Sequence, residues 1–277
     1  MSGKPKWLRV PYHNNQNNSF VTNLLKELDL NTVCLEASCP NCAECFSNKT
    51  ATFLILGKIC TRDCSFCNVS YGTPQLVDED EPQRIAGAVL KLDLQYVVLT
   101  SVTRDDLQDG GAGHFANVTA AIQRASPQTS IELLIPDLPA LKTVTDGSPA
   151  VISHNIETVQ SLYESVRPSA VYERSLNVLK SIKRLNPGIR TKSGLMLGLG
   201  ETREEVLKTF DDLLNADCDF LTIGQYLSPS KNHYPVYEYI ELKVFDEYAK
   251  IAEQKGFRYV ASAPLVRSSY NAGKALS

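Results

Sequence analysis

Seven of the chain's eight cysteines, Cys34, Cys39, Cys42, Cys45, Cys60, Cys64 and Cys67, crowd into one short stretch, and only Cys218 lies far from them. The segment CTRDCSFC sets Cys60, Cys64 and Cys67 at Cys-x3-Cys-x2-Cys. Three thiolates on one loop can hold three irons of a cubane cluster, leaving the fourth iron without a protein ligand. An open metal position is a reactive one, by the logic that separates catalytic from structural zinc. The competing reading is a structural zinc site, but zinc wants a fourth ligand and two paired motifs, and this loop supplies three thiols alone. A second triad, Cys34, Cys39 and Cys45 at Cys-x4-Cys-x5-Cys, stands just upstream with Cys42 as an extra thiol, and argues for a second cluster. Cys218 reads as a small buried apolar residue.

Chemistry of this kind needs a scaffold. From residue 51 onward, short β-branched runs alternate with longer amphipathic stretches. Strands are expected at 52–57, 96–102, 131–135, 150–153, 193–197, 220–227 and 258–262. Helices are expected near 82–92, 114–125, 156–166, 172–185, 203–215 and 241–255. About six βα units of this kind predict an α/β fold, a partial (β/α)6 TIM-like barrel that is complete or slightly open. An N-terminal extension (1–50) carries the second triad, the barrel spans 51–256, and a C-terminal extension covers 257–277. Within the first extension, 20–28 suggests a short helix and the run NNQNNS a solvated loop. The polar clusters CTRDCSFC, TSVTRDDLQDGG, IPD, HNIE and GLGE all follow expected strands, so they should gather at the carboxyl face of the barrel. GLGE lacks the Gly-Lys-Ser/Thr ending of a phosphate loop.

The first cysteine loop resembles the signature of the radical S-adenosylmethionine superfamily, with Phe66 at a position where an aromatic is common. The second triad, together with Arg267, Ser268, Ser269 and Tyr270 near the end, narrows the resemblance to the lipoyl synthase family. Nearly the whole chain takes part, through TATFLILG, VVLTSVTRDDLQDGGAGHFA, ELLIPD, HNIETV, VRPSAVYERSLNVLK, TKSGLMLGLGET, LTIGQYLSPSKNHYPV and ASAPLVRSSY. The resemblance implies two 4Fe-4S clusters: one on Cys60, Cys64 and Cys67 that binds S-adenosyl-L-methionine, and an auxiliary one on Cys34, Cys39, Cys45 and Ser269, with Ser268 as the alternative. A hard alkoxide is a poorer match to iron than a thiolate and leaves more readily, which suits a cluster that is to be dismantled. It further implies Thr100, Ser101, Asn155 and Glu157 beside the cofactor, although each could instead cap the next helix. The implied reaction is radical insertion of sulfur at C6 and C8 of an octanoyl group on a lysine of a lipoyl-carrier domain. Such carriers are the glycine cleavage H protein and the acyltransferase subunits of 2-oxoacid dehydrogenases, and flavodoxin or ferredoxin would supply electrons. Departures from the family pattern are Cys42, Asp63, Ser65 and Asn271; none removes a ligand, though Cys42 could compete for iron.

Composition sets the outer bounds. With 43% hydrophobic residues, 21% charged residues and a net charge of -3, the chain suits one globular domain and lacks the basic footprint of a nucleic-acid binder. No apolar stretch approaches the roughly 20 residues of a membrane span, and the start of the chain lacks the apolar core of a secretory leader. A cytoplasmic protein with reduced thiols is therefore expected rather than a disulfide framework. Two other readings compete: a different radical enzyme whose second cluster only moves electrons, and an iron-sulfur electron carrier. The barrel speaks against the carrier, which needs no substrate-sized cavity.

Overall fold

The protein is described here by a computed structural model covering residues 5–8, 16–48 and 51–276. After a 3-10 turn at Lys6–Leu8 comes helix α1 (Gln16–Glu27), followed by the two-residue strand β1 (Asn31–Thr32) and short helices α2 (Val33–Glu36) and α3 (Cys42–Ser47). Strand β2 (Thr52–Ile55) opens the main sheet, and a two-strand ladder, β3 (Ile59–Cys60) with β4 (Ser70–Tyr71), brackets the first cysteine loop. Then α4 (Glu81–Leu92), β5 (Tyr96–Ser101), α5 (Ala112–Ala125), β6 (Ser130–Leu134), α6 (Leu141–Asp146) and β7 (Val151–Ser153) alternate. The second half runs α7 (Tyr163–Val166), α8 (Tyr172–Leu185), β8 (Arg190–Leu197), α9 (Arg203–Leu214), β9 (Phe220–Gln225), α10 (Leu242–Lys255) and β10 (Tyr259–Ser262).

The sheet order is β1-β2-β5-β6-β7-β8-β9-β10, with β1 antiparallel to β2 and every other pairing parallel. Six βα units and a seventh parallel strand thus form an unclosed barrel, as the alternating pattern predicts. The parallel sheet runs through Tyr259–Ser262, past residue 256. Strands such as β2 and β9, buried along their whole length, show why their sequences read as continuous apolar runs.

Two expectations fail. The stretch 156–166 is not one helix: Glu157 takes a φ of 66° and bridges Leu195 of β8, Val159 is extended, and only a 3-10 turn (Gln160–Leu162) and the single turn α7 follow. Pro168 then disfavours helix at Arg167, whose φ is -133°, and the crossover is made by α8. The run NNQNNS is not wholly a loop either. Gln16–Ser19 begin α1, where Asn17 Nδ2 donates to Ser47 O at 2.7 Å and Ser47 Oγ to Asn18 Oδ1 at 3.1 Å. Short polar side chains here tie α1 to α3; Asn14 and Asn15 lie outside the described residues.

Strand β8 starts at Arg190, before the expected 193, because its first inward residues are polar and satisfied inside the fold. Lys192 Nζ donates to Glu132 Oε1 at 2.8 Å, Ser153 Oγ donates to the same oxygen at 2.7 Å, and Tyr96 OH donates to Oε2 at 2.6 Å. The side chains of Lys192 and Glu132 are 2% and 1% exposed. Four adjacent strands are thereby cross-linked at the lower end of the barrel interior. Beyond β10, the chain turns back across the sheet's open side. Asn41 Nδ2 donates to Leu265 O at 2.7 Å, Tyr270 OH to Glu44 Oε1 at 2.8 Å, and Gly273 lies against the Tyr96 ring. Gly224 of β9 makes the crossing possible, since a Cβ there would overlap the Val266 carbonyl oxygen.

Lys192→Met leaves Glu132 buried and uncompensated, and should cost about 3–5 kcal/mol, read as a lower urea midpoint. Gly224→Ala should cost about 1–3 kcal/mol by overpacking and should speed proteolysis after Val266, read by mass spectrometry of the cleaved tail.

Candidate active site

A cavity of about 810 Å³ opens at the carboxyl ends of the strands, lined among others by Cys60, Cys64, Cys67, Cys34, Cys39, Cys45, Ser268 and Ser269. Both thiol triads therefore face one space. The first triad rides on the loop between β3 and β4, and that loop is clamped from four sides. Cys60 Sγ accepts the backbone N–H of Arg62 at 3.4 Å and of Thr103 at 3.3 Å, which fixes the direction of the sulfur. Arg62 forms two bonds to Asp105, at 2.8 and 2.7 Å, and a third to Asp137 at 2.5 Å, which fixes the loop to the segments after β5 and β6. Ser65 Oγ donates to the Ser165 and Val166 carbonyls, and His233 meets Cys67 O at 3.0 Å.

The second triad is built on the two short helices α2 and α3 and the turn between them. Thr32 caps α2 by accepting Leu35 N–H, Ser38 takes a φ of 49°, and Cys39 N–H donates to Cys34 O at 3.0 Å, which turns the chain back on itself. Cys34 and Cys39 are thus brought beside Cys45 of α3. Asn68, next to Cys67, donates from Nδ2 to Glu36 O at 2.9 Å and to Ser38 Oγ at 3.3 Å, so one amide ties the two cysteine loops together. Cys42 packs toward the hydrophobic core and is absent from the cavity wall, while Cys218 is buried with Sγ bonded to Phe220 O.

Burial pushes the Cys34 and Cys67 thiols up to about 12, so metal must displace their protons on binding. Among the described residues no three His, Cys, Asp or Glu side chains converge on a point where a single ion would sit. Both triads line the same cavity, and in a multi-iron cluster each sulfur would bind a different iron.

Thr100, Ser101, Asn155 and Glu157 all line the cavity, and none of them stands at a helix N-cap. Thr100 Oγ1 donates to Leu134 O at 3.0 Å, and Asn155 Nδ2 to Glu157 Oε1 at 3.0 Å. Ser101 Oγ, Asn155 Oδ1, His154 Nε2 and Arg167 Nε are buried in this wall with no partner, leaving polar capacity for a polar ligand. Burial pushes the Glu157 carboxyl up and the nearby Arg167 and Arg267 pull it down. His154 donates from Nδ1 to Ile135 O, and burial followed by the Arg167 charge lowers it to about 4, so it is neutral at pH 7.

Three residues of the wall carry no role in the sequence motifs: Asn68, Arg167 and, though it opens RSSY, Arg267. Arg167 donates to Asn155 O at 3.1 Å and lies near Cys64, and Arg267 lies near Cys39 and Glu157. The signal available for Arg267 was its place as first residue of RSSY; for Asn68 and Arg167 only their distant backbone partners reveal the role. GLGE folds on itself, Glu201 accepting the Gly198 and Leu199 N–H groups.

Comparison with known proteins agrees with this geometry. The sequence pattern of the Radical SAM superfamily matches residues 54–213. The lipoyl synthase of Caldicellulosiruptor saccharolyticus is 59% identical over 96% of this chain and 95% of its own length. That of Alkaliphilus metalliredigens is 53% identical over 99% and 96%. Methylornithine synthase (PylB), at 15% identity, superposes with a TM-score of 0.57 over 92% of this chain and 85% of its own. HydG, a maturase of the FeFe-hydrogenase, has 11% identity and a TM-score of 0.61 over 95% of this chain and 60% of its own. Those two structures share the fold alone. With two relatives above half identity along nearly all of both chains, and the superfamily pattern spanning most of the barrel, the chain belongs to the lipoyl synthase family of the Radical SAM superfamily.

Proposed function

We propose that this chain inserts two sulfur atoms, at C6 and C8, into an octanoyl group held on a lysine of a partner protein, forming the lipoyl group. The observation that carries the reading is two thiol triads and the RSSY segment on the wall of one cavity. When bound, S-adenosyl-L-methionine at a reduced 4Fe-4S cluster supplies the radicals that remove one hydrogen from each carbon, and a second 4Fe-4S cluster supplies the sulfur.

The chain's own residues hold and orient these groups. Cys60, Cys64 and Cys67 hold the first cluster, and the Arg62 and Thr103 N–H groups orient the Cys60 sulfur. Asn155, Glu157, Thr100 and Ser101 receive the polar parts of S-adenosyl-L-methionine; the two unpartnered oxygens on Ser101 and Asn155 support this placement. Cys34, Cys39, Cys45 and Ser269 hold the auxiliary cluster, with Ser268 as the alternative oxygen. Val98, Leu134, Leu195 and Met196 give the acyl chain an apolar wall, and a cavity walled in this way keeps water from the carbon radicals. The carrier is a lipoyl domain such as the glycine cleavage H protein or a 2-oxoacid dehydrogenase acyltransferase subunit, and flavodoxin or ferredoxin is the electron donor. Among the described residues no helix is long and apolar enough to cross a membrane.

The test is mass spectrometry of an octanoylated carrier incubated without oxygen with the protein, reductant and S-adenosyl-L-methionine. Two sulfur atoms should be gained and two molecules of 5′-deoxyadenosine formed per carrier; 5′-deoxyadenosine without sulfur would point to a different radical enzyme, and none at all to an electron carrier. Cys60→Ala should lower 5′-deoxyadenosine formation at least a hundredfold while iron remains on the second triad, measured by chromatography and iron assay. Ser269→Ala should still form 5′-deoxyadenosine but lose sulfur transfer at least tenfold; full lipoyl yield from that variant would move the ligand to Ser268.

A further inference from the structure

We infer that Tyr96 is the backstop of the acyl site and sets the length of chain that the enzyme accepts. The inference rests on the proposed function. Along β5, alternate residues Tyr96, Val98 and Thr100 line the cavity, and the strand runs from Tyr96 toward the cysteine loop, which Thr103, just past its end, meets through Cys60 Sγ and Thr61 N–H. Tyr96 is therefore the deepest of the three.

Its ring is held on both sides. Below, the hydroxyl donates to Glu132 Oε2 at 2.6 Å, and Glu132 is itself fixed by Lys192 and Ser153. Swinging the ring aside would leave a buried carboxylate oxygen unpaired, a change that costs about 1–3 kcal/mol or more. Beside it, Gly273 of the C-terminal segment comes so near that a Cβ there would stand 3.4 Å from both Cβ and Cγ of Tyr96. The rest of that network, Glu132, Lys192 and Ser153, does not reach the cavity wall, so Tyr96 is the face that the network presents to whatever enters.

The chemistry needs such a wall. An acyl chain tethered to a carrier enters free end first, and one of its two reacting carbons, C8, is the terminal methyl. Whatever stops that methyl decides which carbons stand within reach of the radical. A chain two methylenes longer would push its reacting carbons out of register or fail to enter. A rigid aromatic face tied down by a charged network is a stop that does not yield, where a flexible aliphatic side chain would.

The experiment uses the anaerobically prepared protein carrying both clusters and a lipoyl-domain substrate bearing either octanoyl-lysine or decanoyl-lysine. Sulfur insertion is followed by mass spectrometry and 5′-deoxyadenosine by chromatography. Wild type should prefer octanoyl. Tyr96→Ala should shift the decanoyl-to-octanoyl rate ratio by about tenfold or more, since a single methylene in an apolar pocket carries discrimination of that order. Tyr96→Leu, which keeps apolar bulk, should shift it less, and Tyr96→Phe, which keeps the ring but loses the tie to Glu132, should keep the wild-type preference with a lower melting temperature. A loss of packing alone would lower all rates without moving the ratio. An unchanged ratio in cluster-loaded Tyr96→Ala and Tyr96→Leu overturns the backstop while leaving the proposed function standing. A wild-type protein that makes 5′-deoxyadenosine but adds no sulfur to octanoyl-lysine overturns both.

Discussion

Seven parallel strands do not close a barrel, and the gap they leave governs the rest of the molecule. A sheet that stops short exposes an edge and the apolar interior behind it, and both must be covered. Here the cover comes from outside the βα repeat. On one side β1 adds antiparallel to β2 and leads into α2 and α3; on the other the segment after β10 folds back past Gly224 and reaches Tyr96. The two covers are joined by Asn41 to Leu265 and Tyr270 to Glu44. Sealing the seam is thus the same event as bringing the second thiol triad and the RSSY serines to the cavity wall.

Charge is distributed to match. Arg62, Arg167 and Arg267 stand near the cysteine loops, and each is anchored rather than free: Arg62 by Asp105 and Asp137, Arg167 by Asn155 O and Tyr163, Arg267 by the Val266 and Pro264 carbonyls. Clusters held by thiolates carry negative charge in a partly desolvated site, and fixed guanidinium groups offset it without depending on mobile side chains. The buried Lys192–Glu132 pair at the other end does a different job, since neither group touches the cavity; it stiffens the lower barrel where apolar packing alone would leave Tyr96 free to move.

Much of this was legible in the sequence because the determining patterns are local. Hydrophobic periodicity marks every strand of the barrel, and cysteine spacing marks both triads. What was hidden depends on contacts between distant residues. Glu157 sits at positive φ because its backbone bridges β8, and that bridge, together with Pro168, breaks what reads as a helix from 156. The Asn-rich run becomes helix since its amides find partners on α3, thirty residues on. The start of β8 is masked by Thr191 and Lys192, whose polarity is satisfied by distant partners, Thr191 by Asp217 O and Asp219 and Lys192 by Glu132. Asn68, which staples the two cysteine loops, is invisible to any motif because its partners are a carbonyl and a serine upstream.

The joined covers also impose an order in time on assembly. Residues 34–45 leave the ribosome long before residues 265–274, so during synthesis the second triad faces solvent across an open flank. Only when the final strand has paired and the chain has threaded past Gly224 does that flank shut. The C-terminal segment thus decides when Cys34, Cys39 and Cys45 are enclosed.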